Sequence, residues 1–460
     1  MELAKKATKY ILENKKNVID IYRSTFHMEP TIGWMNDPNG LIYVDGEFHL
    51  FYQANPYEAK NENMAWGHFI SKDLIKYEEI DVALYPELDK EETGCFSGSA
   101  FIENKELKLV YTKHYEIPNT KCKENQYIVT TLDKVNFVKD ELPCVDPNEL
   151  PDNIDKLEFR DPQIFYFNNR CYLIIGGHTI DNKGVFLLFS GSDSKHLHYD
   201  FYLGPYEHTY QMVECPSFVK VDGKDVIIYS TYGTFRKNNS ISMSHLVFYI
   251  LGQFKPEQKT FIIEGEGQID NGDSFYAPKT IEYCPIPTMI GWMENWNKIY
   301  KTAVFNHNWV GSFSIPRVLK IKNNELYQEL YPTLNNYIVK ESKLEEKNGQ
   351  IDTHSLNEFT FDHDFMLVLR RENGRIKIFK KKDVIHLDML RTNNLHEMIF
   401  ASLHKYKEGK ITFLLDTSSI EVFINNGRES LTSRFYLHGD KFEYESKHCH
   451  ELTTKIIEVK

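Results

Sequence analysis

Three carboxylates recur at matching places along the first half of the chain. Asp37 and Asp161 each stand directly before a proline, and Glu214 stands two residues before Pro216. Any one of them is compatible with an ordinary turn, because Asp-Pro is a common turn dipeptide. Three in one register of a repeat are harder to explain as turns, because clustered carboxylates repel one another. The pattern therefore predicts a functional pocket lined by these three acids.

Other residue types that could do chemistry give no comparable pattern. Two His-x-His pairs, His196/His198 and His448/His450, lack a carboxylate at ligand spacing, so we predict no metal site. The seven cysteines include no CxxC pair, which argues against a disulfide framework and a cysteine-rich zinc site. The glycines at 265 and 267 precede no helical pattern, so no nucleotide-binding loop is expected. We predict no cofactor.

The three acids belong to a longer repeat. Five stretches each contain a strand pattern, a short polar or proline-containing turn, and a second strand rich in Leu, Ile, Val and Tyr. They start at Asp37, Ser97, Asp161, Glu214 and Ala277, which are 60, 64, 53 and 63 residues apart. Five such units predict a five-bladed β-propeller with four-stranded blades. If these residues begin the innermost strands, their side chains point toward one end of the central channel.

The composition favours β-structure in the rest of the chain as well. Aromatic residues make up 14% of the 460 residues, and helical periodicity is convincing only over residues 2–22. Residues 359–369, 411–415 and 420–424 alternate apolar and polar types, which is typical of strands with one buried face. We therefore predict an all-β protein. A helical segment would cover 1–25, the propeller 26–335 and a β-sandwich 340–460.

Charge and hydropathy exclude several classes of protein. The net charge is −12 and there is no long basic run, which argues against nucleic-acid binding. The longest apolar run covers only residues 246–251, far short of the ~20 residues that cross a bilayer, so no membrane span is expected. Residues 1–16 are rich in lysine and lack the apolar core of a signal peptide. We therefore expect a cytoplasmic protein.

A series of ordered motifs identifies a family resemblance. The motifs are WMNDPNG at 34–40, FYQANP at 51–56, WGH at 66–68, SKDL at 71–74, FSGSA at 96–100, FRDP at 159–162, VECP at 213–216, FYAPKT at 275–280, IGW at 290–292, SIPR at 314–317 and LDTSSIEVFIN at 415–425. Together they resemble glycoside hydrolase family 32, the invertases, fructanases and sucrose-6-phosphate hydrolases. That family combines a five-bladed propeller with a β-sandwich. Departures at residues 61–68 and at Ala54 concern substrate choice and leave the chemistry intact.

The resemblance implies a role for each of the three acids. Asp37 would be the nucleophile, Glu214 the general acid/base and Asp161 the transition-state stabiliser, with net retention at the anomeric carbon of fructose. The residues around them are compatible with these roles. The Gly- and Asn-rich turn around Asp37 predicts an ionised carboxylate. The less polar surroundings of Glu214 predict a raised pKa, as an acid catalyst near neutral pH requires.

Further residues are candidates for substrate contacts. The resemblance implies that Arg160 contacts the pocket, and the alternative is that it only pairs with an acid. The candidates for hydroxyl contacts or a hydrophobic wall are Asn36, Gln53, Trp66, Ser97 and Asp273. Trp34, Trp292 and Trp296 are candidate sugar platforms, although aromatic residues in β-rich proteins more often belong to the core.

These expectations combine into one predicted activity. We expect a retaining β-fructofuranosidase that acts on a small sugar, either sucrose or its 6-phosphate, and releases fructose. The alternatives are a fructan exohydrolase, a transfructosylase or a propeller that only binds carbohydrate. A cytoplasmic location favours the phosphorylated sugar as the better substrate. The candidate phosphate contacts are Lys60, Lys195, Arg236, Lys237 and Lys279.

Overall fold

The protein consists mostly of β-strands, as the sequence predicts. The computed structural model describes residues 2–87, 92–116, 122–131, 133–237, 240–371, 374–390 and 398–459. Within these residues there are two α-helices, α1 (Glu2–Asn14) and α2 (Lys301–Val304). Short 3₁₀ helices cover Lys15–Asn17, Pro147–Glu149, Pro256–Gln258 and Pro332–Tyr337. All other regular structure described is β-sheet.

Five sheets of four or five strands form the first part of the chain. The first contains β1 (Gly33–Val44), β2 (Glu47–Asn55), β3 (Ala65–Ser71), β4 (Tyr77–Glu79) and β19 (Trp309–Val310), which runs parallel to β1. The second contains β5 (Gly94–Glu103), β6 (Glu106–Tyr115), β7 (Lys123–Thr130) and β8 (Val138–Lys139). The third contains β9 (Ile154–Phe167), β10 (Arg170–Thr179), β11 (Gly184–Gly191) and β12 (Leu197–Leu203).

The remaining two sheets of this part follow the same plan. The fourth contains β13 (Met212–Val221), β14 (Lys224–Lys237), β15 (Ser240–Lys255) and β16 (Thr260–Gln268). The fifth contains β17 (Tyr276–Thr280), β18 (Thr288–Trp292), β20 (Arg317–Lys322) and β21 (Glu325–Leu330). The first strands of the five sheets contact one another in a closed ring: β1 with β5, β5 with β9, β9 with β13, β13 with β17, and β17 with β1. The ring brings residues far apart in sequence to one place.

Two six-stranded sheets form the C-terminal part. One contains β22 (Ile338–Lys343), β24 (Ser355–Phe361), β29 (Gly409–Asp416), β30 (Ser419–Ile424), β31 (Glu429–Arg434) and β33 (His450–Ile457). The other contains β23 (Asn348–Asp352), β25 (Met366–Arg371), β26 (Gly374–Lys381), β27 (Val384–Leu390), β28 (Met398–Ala401) and β32 (Lys441–Lys447). One apolar core joins them, with Phe359 and Val422 from the first sheet and Leu367 and Ile378 from the second.

The N-terminal helix is shorter than the sequence pattern suggests. Helix α1 ends at Asn14 instead of continuing to residue 22. Beyond it the backbone bonds to other parts of the chain, because the carbonyls of Asn17 and Ile19 accept hydrogen bonds from the side chains of Asn308 (2.8 Å) and Trp309 (3.0 Å). The apolar face of α1 is buried through Ala7 and its neighbours against the first sheet. Neither α-helix described, of 13 and 4 residues, has the length and apolar character to cross a membrane.

Candidate active site

Each first strand of the ring carries an irregularity at the same point. The pairing with the second strand shifts between Met35 and Pro38, Phe96 and Gly98, Arg160 and Gln163, Glu214 and Ser217, and Tyr276 and Lys279. Such bulges leave residues unpaired and redirect their side chains. A proline is tolerated there because its missing N–H has no ladder partner to lose. The five bulges therefore build one site at one end of the ring.

The bulges correct the register of the three acids. Asp161-Pro162 is equivalent to Cys215-Pro216, because in both strands the residue before proline has a positive φ, 66° and 48°. Glu214 is therefore one residue out of step with Asp161, and the predicted common register is wrong for it. It occupies the same position as Arg160 and Tyr276, the last paired residues before their bulges. This offset gives Glu214 a different set of neighbours from the two aspartates.

A cavity of about 340 Å³ opens at this site. Its wall includes all three predicted acids, together with four of the predicted substrate contacts. The lining residues are Asn36, Asp37, Gln53, Asn61, Met64, Phe96, Ser97, His114, Cys122, Glu124, Glu158, Arg160, Asp161, Glu214, Tyr276 and Trp296. Side chains from all five first strands therefore face one space, as the repeat predicts.

Asp37 is buried close to a second carboxylate. Its Oδ2 accepts a hydrogen bond from the Ser97 hydroxyl (2.8 Å) and lies 3.6 Å from the Cys215 sulfur. Burial and the neighbouring Asp161 raise the pKa of Asp37 to about 7, although Asn36 and Ser97 oppose the rise. The turn around Asp37 predicts a carboxylate that ionises easily, and that expectation is wrong because burial outweighs the local donors.

Asp161 is held by the backbone around it. Its Oδ2 accepts a hydrogen bond from the Cys215 N–H (2.9 Å) and lies 3.4 Å from the sulfur of the same residue. Its own N–H donates to the Thr112 hydroxyl (2.9 Å). Burial raises the pKa of Asp161, and Glu214 adds to the rise while Arg160 lowers it. One cysteine thus bridges the carboxylates of Asp37 and Asp161.

Glu214 has charged and phenolic partners instead. Its Oε1 accepts from Nε (3.2 Å) and Nη2 (2.8 Å) of Arg160, and its Oε2 accepts from the Tyr276 hydroxyl (2.5 Å). Burial and the nearby Glu214 raise the pKa of Tyr276 well above its usual value, so the phenol stays protonated and can donate. Arg160 also contacts Glu124 on its other side (3.3 Å). The Glu214 carboxyl is therefore fixed in orientation by a two-pronged guanidinium contact.

Three of the predicted substrate contacts lie outside this lining. Trp66 is fully buried, and its indole N–H donates to the Phe96 carbonyl (3.1 Å) in the core between the first two sheets. Trp292 is also buried, in the core beneath Trp296. Asp273 accepts a hydrogen bond from Ser433 of the C-terminal part and pairs with Lys298 of the first part (3.4 Å). The structure thus makes the two tryptophans core residues and Asp273 an interface residue.

Asn36, Gln53, Ser97 and Arg160 do line the cavity. Among the three candidate platforms only Trp296 does, because Trp34 is buried and donates through its indole N–H to Asn36 Oδ1 (2.7 Å). Sequence reasoning missed Asn61, Met64, Phe96, His114, Cys122, Glu124, Glu158 and Tyr276. For Tyr276 a signal existed, since it precedes Ala277-Pro278 as Glu214 precedes Cys215-Pro216.

The candidate phosphate contacts whose side chains the structure describes do not line the cavity. Lys60 pairs with Glu58 (3.1 Å), and Lys195 pairs with Asp140 (2.7 Å). Lys279 is buried and donates to the Pro216 carbonyl (3.0 Å). The side chains of Arg236 and Lys237 lie outside the described part of the chain. The lining itself has five carboxylates and one guanidinium, that of Arg160.

Comparisons with known proteins agree with this site. The profile described as "Glycosyl hydrolases family 32 N-terminal domain" matches residues 27–330, and the family's C-terminal profile matches residues 333–456. The chain belongs to glycosyl hydrolase family 32. The resemblance that the motifs indicate is thereby confirmed, and this family 32 protein is a glycoside hydrolase. A propeller that only binds carbohydrate is no longer an alternative.

Individual relatives cover almost the whole family 32 chain. Sucrose-6-phosphate hydrolases from Escherichia coli and Bacillus subtilis are 27% and 28% identical, with matches that cover 89% and 91% of this chain and 88% and 89% of the relatives. A family 32 β-fructofuranosidase from Bombyx mori, solved in complex with sucrose, superimposes with a TM-score of 0.85. It is 25% identical, and the match covers 99% of this chain and 98% of that one.

Proposed function

We propose that the protein is a retaining β-fructofuranosidase that hydrolyses sucrose or sucrose 6-phosphate and releases fructose. One observation carries this proposal: Asp37, Asp161 and Glu214 face a single cavity, and their partners differ. The family and its sucrose-hydrolysing relatives support it. The Bombyx mori structure, which contains sucrose, supports a disaccharide of this kind as substrate.

Asp37 is the proposed nucleophile. Its Oδ2 attacks the anomeric carbon of the fructosyl unit and forms a covalent fructosyl–enzyme, which water then hydrolyses. The attack requires the ionised carboxylate, and the hydroxyl of Ser97 favours that form by donating to Oδ2. Among the described residues, no cation forms an ion pair with Asp37. Its negative charge is therefore available to the reacting carbon.

Glu214 is the proposed general acid and base. It gives a proton to the departing glucosyl oxygen, and in the second step it takes a proton from the attacking water. Arg160 and Tyr276 act as positioning residues, because they hold both carboxyl oxygens of Glu214. Asp161 is the proposed stabiliser, which accepts hydrogen bonds from fructosyl hydroxyls as positive charge develops in the ring. The remaining polar lining, Asn36 and Gln53, would contact hydroxyls.

We also propose the predicted domain organisation. The closed ring of first strands supports a five-bladed propeller over 26–335, and the shared core of the two six-stranded sheets supports a β-sandwich over 340–460. The segment 1–25 would then be a separate N-terminal extension that packs on the first blade. Cytoplasmic location stays a prediction.

The phosphorylated sugar as the better substrate is supported by the names of the relatives and not by the cavity. Five carboxylates in the lining oppose a dianionic group close to them. A contact with the phosphate group must therefore lie at the rim of the cavity. A rim contact predicts that the preference for sucrose 6-phosphate weakens as salt screens the charges. The measurement is kcat/KM for sucrose 6-phosphate divided by kcat/KM for sucrose, at low and at high ionic strength. A ratio of one or below at both ionic strengths would overturn the preference.

A trapping experiment tests the activity and the covalent step together. The purified protein is given sucrose in water containing methanol, and the products are followed by NMR from the first turnover. We expect fructose release and, through capture of the fructosyl–enzyme, methyl β-fructofuranoside. An initial product of α configuration would show inversion, with water as the direct attacker and a different role for Asp37. A panel of raffinose and inulin then separates this enzyme from a fructan exohydrolase.

A further inference from the structure

A second group of reactive side chains lies in the wall of the same cavity. His114, on β6, faces Glu124, on β7, across the strand pair, and Cys122 directly precedes β7. All three line the cavity that holds Asp37 and Glu214. The proposed hydrolysis assigns no role to His114 or Cys122, and it uses Glu124 only as a partner of Arg160.

The three side chains offer one ligand atom each at nearly the spacing a metal ion needs. An imidazole nitrogen, a sulfur and a carboxylate oxygen lie within 4.8 Å of one another. Ligand atoms around a tetrahedral Zn²⁺ are roughly 3.3–3.8 Å apart, given zinc bonds of about 2.0–2.3 Å. A closing movement of about 1 Å therefore suffices. Stacking of the His114 ring on Phe96, with centroids 4.0 Å apart, holds the imidazole plane in place.

The chemistry of the donor set favours zinc over hard cations. Sulfur and imidazole nitrogen are poor ligands for Mg²⁺ and Ca²⁺, which take oxygen ligands, whereas Zn²⁺ accepts all three types. Glu158 also lines this wall and adds negative charge beside the group. Burial and the carboxylates of Glu124 and Glu158 raise the pKa of Cys122 to about 11. Cys122 is thus a thiol in the free protein, and binding releases its proton to the solvent and leaves a thiolate ligand.

We propose that His114, Cys122 and Glu124 bind Zn²⁺ and that this binding inhibits the enzyme. Three protein ligands leave a fourth position for water, so the ion occupies space inside the cavity. The bound ion also affects Arg160, whose guanidinium lies 3.3 Å from the Glu124 carboxylate. Once Glu124 is a metal ligand, its charge is shared between the ion and Arg160. Arg160 holds Glu214 through a 2.8 Å bond, so the proposed acid catalyst loses its fixed orientation. The inhibition rests on the proposed function, but the binding does not.

Cobalt(II) serves as a spectroscopic probe that is independent of activity. Co²⁺ takes tetrahedral zinc sites, and a cysteine thiolate ligand gives a thiolate-to-cobalt charge-transfer band in the near ultraviolet. We expect this band on titration of the whole protein, its loss on addition of Zn²⁺, and its absence in Cys122→Ser. The other described triad that could hold a metal, Glu207, His208 and Glu266, contains no sulfur, so it cannot give the band.

Inhibition is measured in parallel against each variant's own metal-free rate. Cys122→Ser and His114→Gln should raise the Zn²⁺ concentration for half-inhibition by more than the roughly 10–100-fold that loss of an outer-shell partner causes. Cys449→Ser and His208→Gln are the matched controls, since neither residue lines the cavity, and both should be inhibited like the native protein. Mg²⁺ at the same concentration should have no effect.

The outcomes separate this proposal from the proposed function. A cobalt band that persists in Cys122→Ser, or no band in the native protein, overturns the zinc site whatever the activity. A Cys122-dependent band with no sucrose hydrolysis leaves the site standing and overturns the function. Equal Zn²⁺ inhibition of the native protein and Cys122→Ser overturns the inhibitory role. Circular dichroism and the Tm of each variant establish that it is folded.

Discussion

The cavity and the interface with the C-terminal sheets each hold a cluster of buried charges, and the two clusters are built in opposite ways. The cavity brings together the carboxylates of Asp37, Asp161 and Glu214. The second cluster lies between the first five sheets and the C-terminal sheets, where His27 and Arg317 meet acidic side chains of the C-terminal part. In the cavity like charges predominate, whereas in the second cluster each charge has an opposite partner.

In the second cluster each charged side chain contacts at least one side chain of opposite charge. His27 contacts Asp416 through Nδ1 (2.7 Å) and Glu421 through Nε2 (2.9 Å), and the side chains of all three are at most 1% exposed. Arg317 contacts Glu421 (2.6 Å) and Asp270 (3.0 Å). Burial alone would lower the pKa of His27, but the bonds to Asp416 and Glu421 raise it to about 9. His27 is therefore charged at neutral pH.

The difference shows in the direction of the carboxyl pKa shifts. In the second cluster burial raises the pKa of Glu421, but the positive charges of Arg317 and His27 outweigh this effect and hold the pKa below its usual value. In the cavity burial and a like charge act together and raise the pKa of Asp37 to about 7. Buried charges that stabilise a fold are neutralised, and buried charges that react are left partly uncompensated. The predictions below test this contrast, from the largest effect to the smallest.

Asp37→Asn should abolish turnover and stabilise the fold. Loss of a nucleophile should lower kcat on the order of 10⁴-fold or more. The raised pKa means that ionised Asp37 opposes folding, an effect that grows as pH rises from about 4 to about 7. The Tm gain of the variant should therefore be larger at pH 8 than at pH 5. Asp45→Asn, at an exposed carboxylate paired with Lys134, is the control. Native kcat in a folded Asp37→Asn protein contradicts the assignment.

Glu214→Gln should remove the proton donor and keep the fold. We expect a loss in kcat of about 10²–10⁴-fold with sucrose, the usual contribution of general acid catalysis. With β-fructosyl fluoride the first step should stay fast, because fluoride departs without a proton. Glu158→Gln, in the same cavity wall, is the matched control. Equal losses with both substrates would assign Glu214 a role other than acid catalysis.

Arg317→Met should break the interface cluster without touching the chemistry. It leaves Asp270 buried without its cation and Glu421 with His27 as its remaining cation, and an uncompensated buried charge costs about 3–5 kcal/mol in the free energy of unfolding. Arg428→Met removes a partly exposed pair with Glu325, whose side chains are 28% and 30% exposed, and this should cost less than about 1 kcal/mol. Denaturant unfolding measures both, and kcat per folded molecule should stay native. Similar losses in the two variants would mean that the interface pairing is no stronger than a surface one.

The pH dependence of kcat/KM should report Asp37. Below its pKa the carboxyl is protonated and cannot attack, so kcat/KM should fall below about pH 7, by tenfold per unit. Ser97→Ala removes the hydroxyl that favours the ionised form, so the acid limb should move to higher pH. Initial rates at low sucrose between pH 4 and 9 measure the limb. A midpoint at or below pH 5 in the native enzyme contradicts the raised pKa.

Much of the fold follows from local pattern. Short β-branched and aromatic runs separated by turn residues predict strands, and the repeat of about 60 residues predicts five similar sheets, which the structure contains. The helix is the exception. Its periodicity continues past Asn14, but Asn308 and Trp309 bond the backbone that follows, and a contact across nearly 300 residues leaves no trace in local periodicity.

Residue types in their order along the chain were enough to predict the family, the strand-rich architecture and the three acids that line the cavity. Three features became visible only in the folded chain: the register of Glu214, the burial that raises the pKa of Asp37, and the positions of Trp66, Trp292 and Asp273 outside the lining. It also brought His114, Cys122 and Glu124 into the wall. The physical reason is that bulge geometry, burial and electrostatic neighbours arise from packing between distant strands, which spacing along the chain does not encode.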